Sequence, residues 1–585
     1  MTTTRFAGLA LGLTLSLGAC GGDDGGAAGG STAFADFCAG ILPKVDSFIA
    51  AQEQAAAAVD PAKYGGTVVL GTIGDFADGM NHFVSSNYDA SQHQQFVNLM
   101  TLVSYDEAIQ PQPYLAESWE TDDPVNPTVL TFHLRPDVFW HDGVRTTAED
   151  VAFTYRVITD SLTAYPNAAW WDHYVRGAEG VEVVDSLTVR IKLRPHAEFM
   201  DAWTRVAIMP KHLLDGVAVT DYKQHPYGTQ CPVGNGPFVF VEHRPQESWT
   251  FKANPSFPAA LGGRPFVDRY VFRVIPEQAT LLTDLLTENI DIYIAPRPDQ
   301  AESILENDRL TLLRYPFRSY TFVGWNGRRP QLADARVRRA LTLGTNRHEI
   351  VGAQIRGFGT VANTSVPPFH WAYDPTYADS LRYDPEEAKR LLDEAGWKDA
   401  NGDGVREKDG VEMRLTLTYN QGNQIRQDIA EVMQAQLGAI GVALQPQVME
   451  FGTMVEMVQN PERNFDAIVF GWVTEFKLDD MDLFHSGRID LPYQFSGTKN
   501  PAMDKLLDTL QLVVDRDDAK ALWLEYQRLT IAEQPYTFVY FPDRLDGVNK
   551  RVRDIVMDAR GEYLSLKDIW IPQQERGGQA STAAR

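Results

Sequence analysis

The most chemically suggestive feature of the sequence is a single carboxylate just past the end of an apolar run. In Phe465-Asp466-Ala467-Ile468-Val469-Phe470-Gly471-Trp472-Val473-Thr474-Glu475-Phe476, Ile468 and Val469 are β-branched and no breaker precedes Gly471, the pattern of a buried strand. Gly471 lets the backbone approach a ligand closely, Trp472 offers a flat apolar face, and Glu475 sets a carboxylate outside the strand end. Ligands of open α/β sheets bind in the crevice at the carboxyl ends of the strands. Such a group can capture a cation or, paired with a second carboxylate such as Asp479, hydrolyse a substrate. An ordinary strand leaving the core with a surface glutamate is the plainer reading of this segment by itself.

Other catalytic signatures are missing. The sequence contains no G-x-S-x-G, H-E-x-x-H or G-x-x-x-x-G-K-[ST], so the common hydrolase, metalloprotease and nucleotide motifs are absent. Gly357-Phe358-Gly359 reads as a turn, and His212 and His348 read as structural or surface groups. Asp399-Ala400-Asn401-Gly402-Asp403-Gly404 matches the first half of a calcium loop, but the twelfth position is Gly410 where a bidentate Glu should sit. A tight polar turn is the better reading, with weak calcium binding left open. No cofactor, no metal site and no enzymatic activity are expected.

The elements that must position Glu475 belong to a long chain. At 585 residues it exceeds one core, so two or three lobes are expected. A net charge of −25 argues against nucleic acid and against anionic lipid surfaces. Residues 1–20 read as a signal peptide: Arg5 is its positive region, Phe6 to Leu17 its apolar run, and Leu17-Gly18-Ala19-Cys20 resembles a bacterial lipobox. Cys20 would be acylated, and the glycine-rich stretch after it would tether a body anchored to the membrane. Whether that membrane is the inner or the outer one is left open. Cys38 and Cys231 remain, two thiols outside the cytoplasm that read as one disulfide.

Residues 34–57 carry an amphipathic helix (Phe37, Ile41, Val45, Phe48, Ile49) within a linker at 21–63, and the globular body starts near Tyr64. Leu130, Phe132 and Leu134 alternate with polar residues as a strand, Thr147 with Asp150 opens a helix, and Val181 to Leu193 is a hairpin. Asp384-Pro385 starts a helix with Ala388, Leu391, Leu392 and Ala395 inward, stopped at Gly396. The run from Leu415 to Asn420, a helix, and then Val442 to Val448 predicts a parallel strand pair. The fold class is therefore α/β with mixed sheets.

Six motifs carry a resemblance. Leu115-Ala116-Glu117-Ser118-Trp119-Glu120 with Trp140-His141-Asp142-Gly143, Met209-Pro210-Lys211-His212-Leu213, Pro232-Val233-Gly234-Asn235-Gly236-Pro237, Gly262 to Asp268, Asp334 to Leu341, and Tyr383 to Ala388 occur in order. The chain from about 64 to 570 resembles family 5 extracellular solute-binding proteins, the receptors of peptide and nickel ABC importers. The resemblance implies a two-lobed periplasmic-binding-protein-like fold (type II, large cluster C type) with an accessory subdomain. Lobe I would comprise 64–106, 200–276 and 538–572, the accessory subdomain 107–199 and lobe II 277–537, with 573–585 a disordered tail. Hinge strands would lie near Val271 to Ile275 and Tyr536 to Phe541. The implied function is a monomeric, extracytoplasmic lipoprotein that captures a peptide and passes it to ABC permease subunits. A nickel complex, haem, an oligosaccharide or a secreted hydrolase's substrate are the alternatives. The oligopeptide-binding pattern G-W-x-A-D-Y falls on Gly471 to Phe476, so an ammonium-binding aspartate becomes Glu475. Candidate ligand-binding residues are Glu475, Trp472, Gly471, Phe451, Tyr419, Asn420 and Asn326.

Overall fold

The apolar runs of the chain meet in one extended sheet. The computed structural model describes residues 36–576 apart from 56–59, 77–78, 86, 164, 166–174, 176–179 and 195. Its main sheet has 12 strands, and its path runs Ala443–Met449, Arg414–Asn420, Ala467–Val473, Ser319–Trp325, Tyr536–Asn549, Ile292–Ile294, Thr67–Thr72, Arg269–Val274, Ser248–Ala253 and Phe238–Arg244. Arg414–Asn420 is parallel to Ala443–Met449 and to Ala467–Val473, and Thr67–Thr72 is parallel to Arg269–Val274 and Ile292–Ile294. The other neighbours are antiparallel, so the sheet is mixed.

The two ends of this sheet carry separate cores. Val68, Leu70, Phe238, Trp249 and Phe272 belong to a cluster in the first lobe. In the second lobe Trp325, Leu417, Met433 and Val469 pack on one face of the sheet, and Phe322, Ile468, Tyr526 and Phe538 on the other. Local signals explain the covering helices. Before Pro385–Glu394, Asp384 Oδ1 accepts from the Glu387 N–H at 2.9 Å, and Gly396 at φ 89° ends the helix region. The Glu387 carboxylate turns to Arg390 at 2.6 Å instead of back to the cap.

The lobes are joined by strands. Tyr536–Asn549 has 14 residues, and its first half pairs with Ser319–Trp325 of the second lobe. Its second half pairs with Leu310–Pro316 and Ile292–Ile294 beside the first-lobe strands. The return crossing is Pro316 to Ser319, between two strands that both lie on Tyr536–Asn549. Val271 to Ile275, expected as a hinge, lies instead among strands of the first lobe, and pairing also draws 292–316 to that side of the boundary expected at 277.

A four-stranded antiparallel sheet, Ala116–Thr121, Val129–Leu134, Thr188–Lys192 and Val181–Asp185, carries the helix Ala148–Thr159, whose capping box joins Thr147 and Asp150. The helix Phe37–Ala55 buries Ile41, Val45 and Ile49 in the same core, and Cys38 is disulfide-bonded to Cys231. At the other end Gln573–Glu575 form a short 3-10 turn, and Arg576 donates to the carbonyls of Pro61, Ala62 and Tyr64. The tail expected from 573 is therefore packed as far as 576. The signal peptide, Cys20, the tether to residue 35 and residues 577–585 lie outside the described residues. No helix among the described residues is long and apolar enough to cross a membrane.

Candidate ligand-binding site

Between the lobes lies a cavity of about 650 Å³. Its first-lobe wall is built on the helix Tyr88–Phe96, started by Asn87, whose side chain accepts from the Ala90 N–H at 3.0 Å. Tyr88, Ser91, Gln92 and Gln95 fall on one face at helical spacing and line the cavity. On the opposite face His93 is buried, bonded to the Asp89 carbonyl at 2.7 Å and to Tyr270 Oη at 3.0 Å, and burial pushes its pKa down to about 3. The second-lobe wall is Arg318, Val473, Glu475 and Phe476, at the carboxyl end of Ala467–Val473.

Glu475 is not a free carboxylate. Its Oε2 is ion-paired with Arg205 Nη1 of the first lobe and with Arg318 Nη1 at 3.4 Å. Arg205 also holds Asp201 Oδ2 at 3.1 Å, and Tyr105 donates to Asp201 Oδ1 at 2.9 Å. Burial would raise the Glu475 pKa, but the Arg205 and Arg318 guanidiniums overcome it and hold the carboxyl below its ordinary value. Arg318 stands at the second crossing, where its carbonyl accepts from the Thr474 N–H at 2.7 Å and its guanidinium lies 4.8 Å from the centre of the Phe476 ring. Glu475, expected to capture a cation, is paired with protein cations in this structure. The cations it needs come from both sides of the cleft.

Further ties close the same seam. Lys477 Nζ sits 2.9 Å from His196 Nε2 and 2.9 Å from Asp479 Oδ2, and the Ala197 N–H donates to the Gln511 carbonyl at 2.7 Å. Asp479 also accepts from Gln511 Nε2 at 2.6 Å, and it does not line the cavity. Glu475 and Asp479 are thus each taken up by protein cations, Arg205 and Arg318 for the first and Lys477 for the second, and only Glu475 lines the cavity. They do not form the facing carboxylate pair that hydrolysis requires.

The other candidates lie elsewhere. Trp472 points into the second-lobe core, stacked on Phe495 at 5.5 Å and edge-on to Tyr493 at 5.7 Å. Strand parity is the reason: Val473 and Glu475 are odd-numbered with Gly471, and Trp472 shares the face of Ile468 and Phe470. A Cβ on Gly471 would stand 3.2 Å from the Tyr320 carbonyl oxygen, so close backbone contact within the sheet accounts for this glycine. Tyr419 is buried in the opposite core, and Asn420 Oδ1 accepts from Arg426 Nη1 at 2.7 Å. Phe451, half exposed, stacks on Phe470 at 6.0 Å. Asn326 is at the far end of its strand, buried, with Nδ2 donating to the Arg463 and Phe465 carbonyls at 3.0 and 2.8 Å. None of these six lines the cavity. The decoy at Asp399 is a turn whose carboxylate accepts from the Gly402 and Gly404 N–H groups at 2.7 and 3.0 Å. No group of three metal-ligating side chains occurs among the described residues.

A cleft at the carboxyl edge of a sheet whose strands run through two lobes is the architecture of a hinged solute receptor. The chain belongs to the bacterial extracellular solute-binding proteins, family 5, whose model (family 5 Middle) matches residues 110–488. It is 30% identical over 511 residues to the oligopeptide-binding protein AppA of Bacillus subtilis, covering 87% of this chain and 92% of AppA. The solved structure of AppA in complex with a nonapeptide matches with a TM-score of 0.70, over 87% of this chain and 99% of that one. The dipeptide-binding protein of Escherichia coli K12 is 25% identical over 500 residues, 82% of this chain and 89% of its own.

Proposed function

We propose that this chain captures a peptide in the cavity between its lobes and delivers it, unaltered, to the permease of an ABC importer. The observation that carries this reading is the cavity itself, walled by the polar face of Tyr88–Phe96 and by Arg318 and Glu475, and closed by charge pairs between lobes. At about 650 Å³ it lies within the roughly 300–1,000 Å³ of small-molecule sites, and its hydrogen-bonding wall suits amide groups. Similarity to a receptor solved with a nonapeptide supports the same class of solute. The mature protein would be a monomer outside the cytoplasm, held to the membrane by acyl chains on Cys20.

Native mass spectrometry of protein purified from its own host tests the reading. A retained peptide of unchanged mass supports it, whereas turnover of the bound molecule would replace it with a hydrolase. Labelled palmitate entering a Cys20→Ala variant would overturn the anchor.

A further inference from the structure

The first-lobe half of Tyr536–Asn549 carries a buried acid. Arg544 and Asp546 are two apart on that strand, and Tyr315 is the ladder partner of Arg544, so all three side chains leave the sheet on one face. Asp546 is fully buried; its Oδ1 accepts from the Ala295 N–H at 2.9 Å, and its Oδ2 is bonded to Tyr315 Oη. Arg544 Nε lies 3.9 Å from Asp546 Oδ1 and 3.2 Å from Oε1 of Glu562, itself buried. The second contact is not aligned as a hydrogen bond, and neither atom has a hydrogen-bond partner among the described residues. Glu562 Oε2 accepts from Tyr88 Oη, on the cavity wall, at 2.8 Å. Asp89, bonded to Tyr563 Oη at 3.0 Å, is the third acid of the cluster. Three carboxyls thus face one guanidinium, and Arg318, beyond Tyr88, is engaged with Glu475.

We propose that Asp546 holds a proton while the lobes are closed and loses it as they open, so that capture of ligand is coupled to proton uptake. The inference rests on the hinged-receptor reading for that coupling and not for the proton itself. Two ionised acids beside one arginine leave a buried negative charge uncompensated, and protonating one of them removes it. Burial pushes the Asp546 carboxyl up to about 7, against the pull of Arg544 and with the help of the Glu562 charge. The cluster sits at the hinge: the Arg544 guanidinium lies 5.3 Å from the centre of the Phe317 ring, which also meets Tyr88 edge-on at 6.2 Å. Bending the link at Phe317 draws this ring off Arg544 and admits water. Once solvated, the acid returns toward its ordinary value of about 3.9 and the proton leaves. Between those two values the closed form is protonated and the open form is not. Affinity therefore falls as pH rises toward 7 and is level above it. The imidazoles of His82 and His93 are held by burial at about 4 and about 3, so they stay neutral across most of this window.

The test compares the mature protein with Asp546→Asn, a neutral mimic of the protonated acid, and with Glu562→Gln, which keeps an acceptor for Tyr88 and removes the neighbouring charge. Infrared difference spectra between about pH 8 and about pH 6 should contain a protonated-carboxyl band that Asp546→Asn lacks and that Glu562→Gln shows only at lower pH. Asp480, in the second-lobe core, gives a band of its own that all three proteins share. Small-angle X-ray scattering without ligand should give a smaller radius of gyration at the lower pH, with Asp546→Asn compact at both. Calorimetry with tetra-alanine in two buffers of different ionisation enthalpy should show proton uptake that Asp546→Asn lacks, and an affinity that falls by up to about tenfold per pH unit toward pH 7. Should Asp546→Asn fail to fold, the shifted profile of Glu562→Gln decides. Identical bands in native protein and both variants overturn the proton. Radii that ignore pH in the native protein, or tetra-alanine binding with equal proton uptake in native and Asn proteins, overturn its coupling to the hinge. Failure of tetra-alanine to bind, with the infrared and scattering results as expected, counts against the peptide reading and leaves the inference standing.

Discussion

Glu198 and Arg516 meet across the seam between the lobes as a two-pronged pair, Nε to Oε1 at 2.7 Å and Nη2 to Oε2 at 2.8 Å. Glu198 sits at φ 53°, a left-handed conformation that costs a non-glycine residue about 1–2 kcal/mol. The pair offsets that strain in the closed arrangement, and it fastens the segment that carries Arg205. Arg516 is held from its other side by Trp371, 5.4 Å from the ring centre.

Glu198→Ala should therefore loosen the closed state and leave both lobes folded. Removing hydrogen bonds to a charged group costs about 1–3 kcal/mol, enough to shift the open–closed ratio roughly tenfold. Small-angle X-ray scattering of the ligand-free protein should show a larger radius of gyration. An unchanged scattering curve would refute a latch at this position.

Glu475→Gln should lower the melting temperature of the ligand-free protein by no more than a few degrees. The Glu475 side chain keeps 42% exposure onto the cavity, so solvent screening limits the pair to about 1 kcal/mol or less. Its folded-state pKa is depressed. The contribution is therefore complete above the unfolded value of about 4.3 and disappears as pH falls through the folded value. Melting curves of native and Gln proteins should differ at pH 7 and converge well below pH 4; a gap that widens in acid contradicts the pairing.

Reduction of Cys38–Cys231 should release the helix Phe37–Ala55 from the first lobe. The bridge spans 193 residues, and closing a loop of that size contributes about 2–5 kcal/mol. Protein denatured without reductant should present no titratable thiol from this pair. With reductant its melting temperature should fall and the helix should become the first site of proteolysis. Two free thiols before reduction would exclude the bridge.

Asn326→Ala should act on stability and not on binding. Its side chain satisfies two buried carbonyls, and leaving them unpaired costs about 1–3 kcal/mol. A fall in urea midpoint with an unchanged dissociation constant for any bound peptide is the expected outcome. A loss of affinity without a loss of stability would return Asn326 to the site.

Much of the frame was legible because it rests on local signals. The Thr147–Asp150 box, the Asp384 cap and the alternation through Leu130, Phe132 and Leu134 each operate within one element. The site was legible only at Glu475. Its neighbour Trp472 is three residues away along a strand, hence on the opposite face, and the period of two was sufficient to exclude it. Tyr88, Ser91, Gln92 and Gln95 gave a second unread signal, a helix whose face to the interior is polar. Arg205 and Arg318 could not be paired with Glu475 from spacing, since they approach it across 270 and 157 residues through the closure of two lobes.

The strand Tyr536–Asn549 has a mechanical consequence. At about 3.3 Å per residue its 14 residues reach roughly 46 Å, and ladder partners hold it along both lobes. Two bodies strung on such a ribbon cannot slide past or drift from one another. They can flex and twist about the link at Phe317 and Arg318 between the two ladders, where the Phe317 N–H donates to the Pro542 carbonyl and the Thr474 N–H to the Arg318 carbonyl, and the backbone behaves as a leaf spring. Gating is thereby reduced to one elastic coordinate, and the guanidinium at the cavity wall rides on the part of the spring that bends.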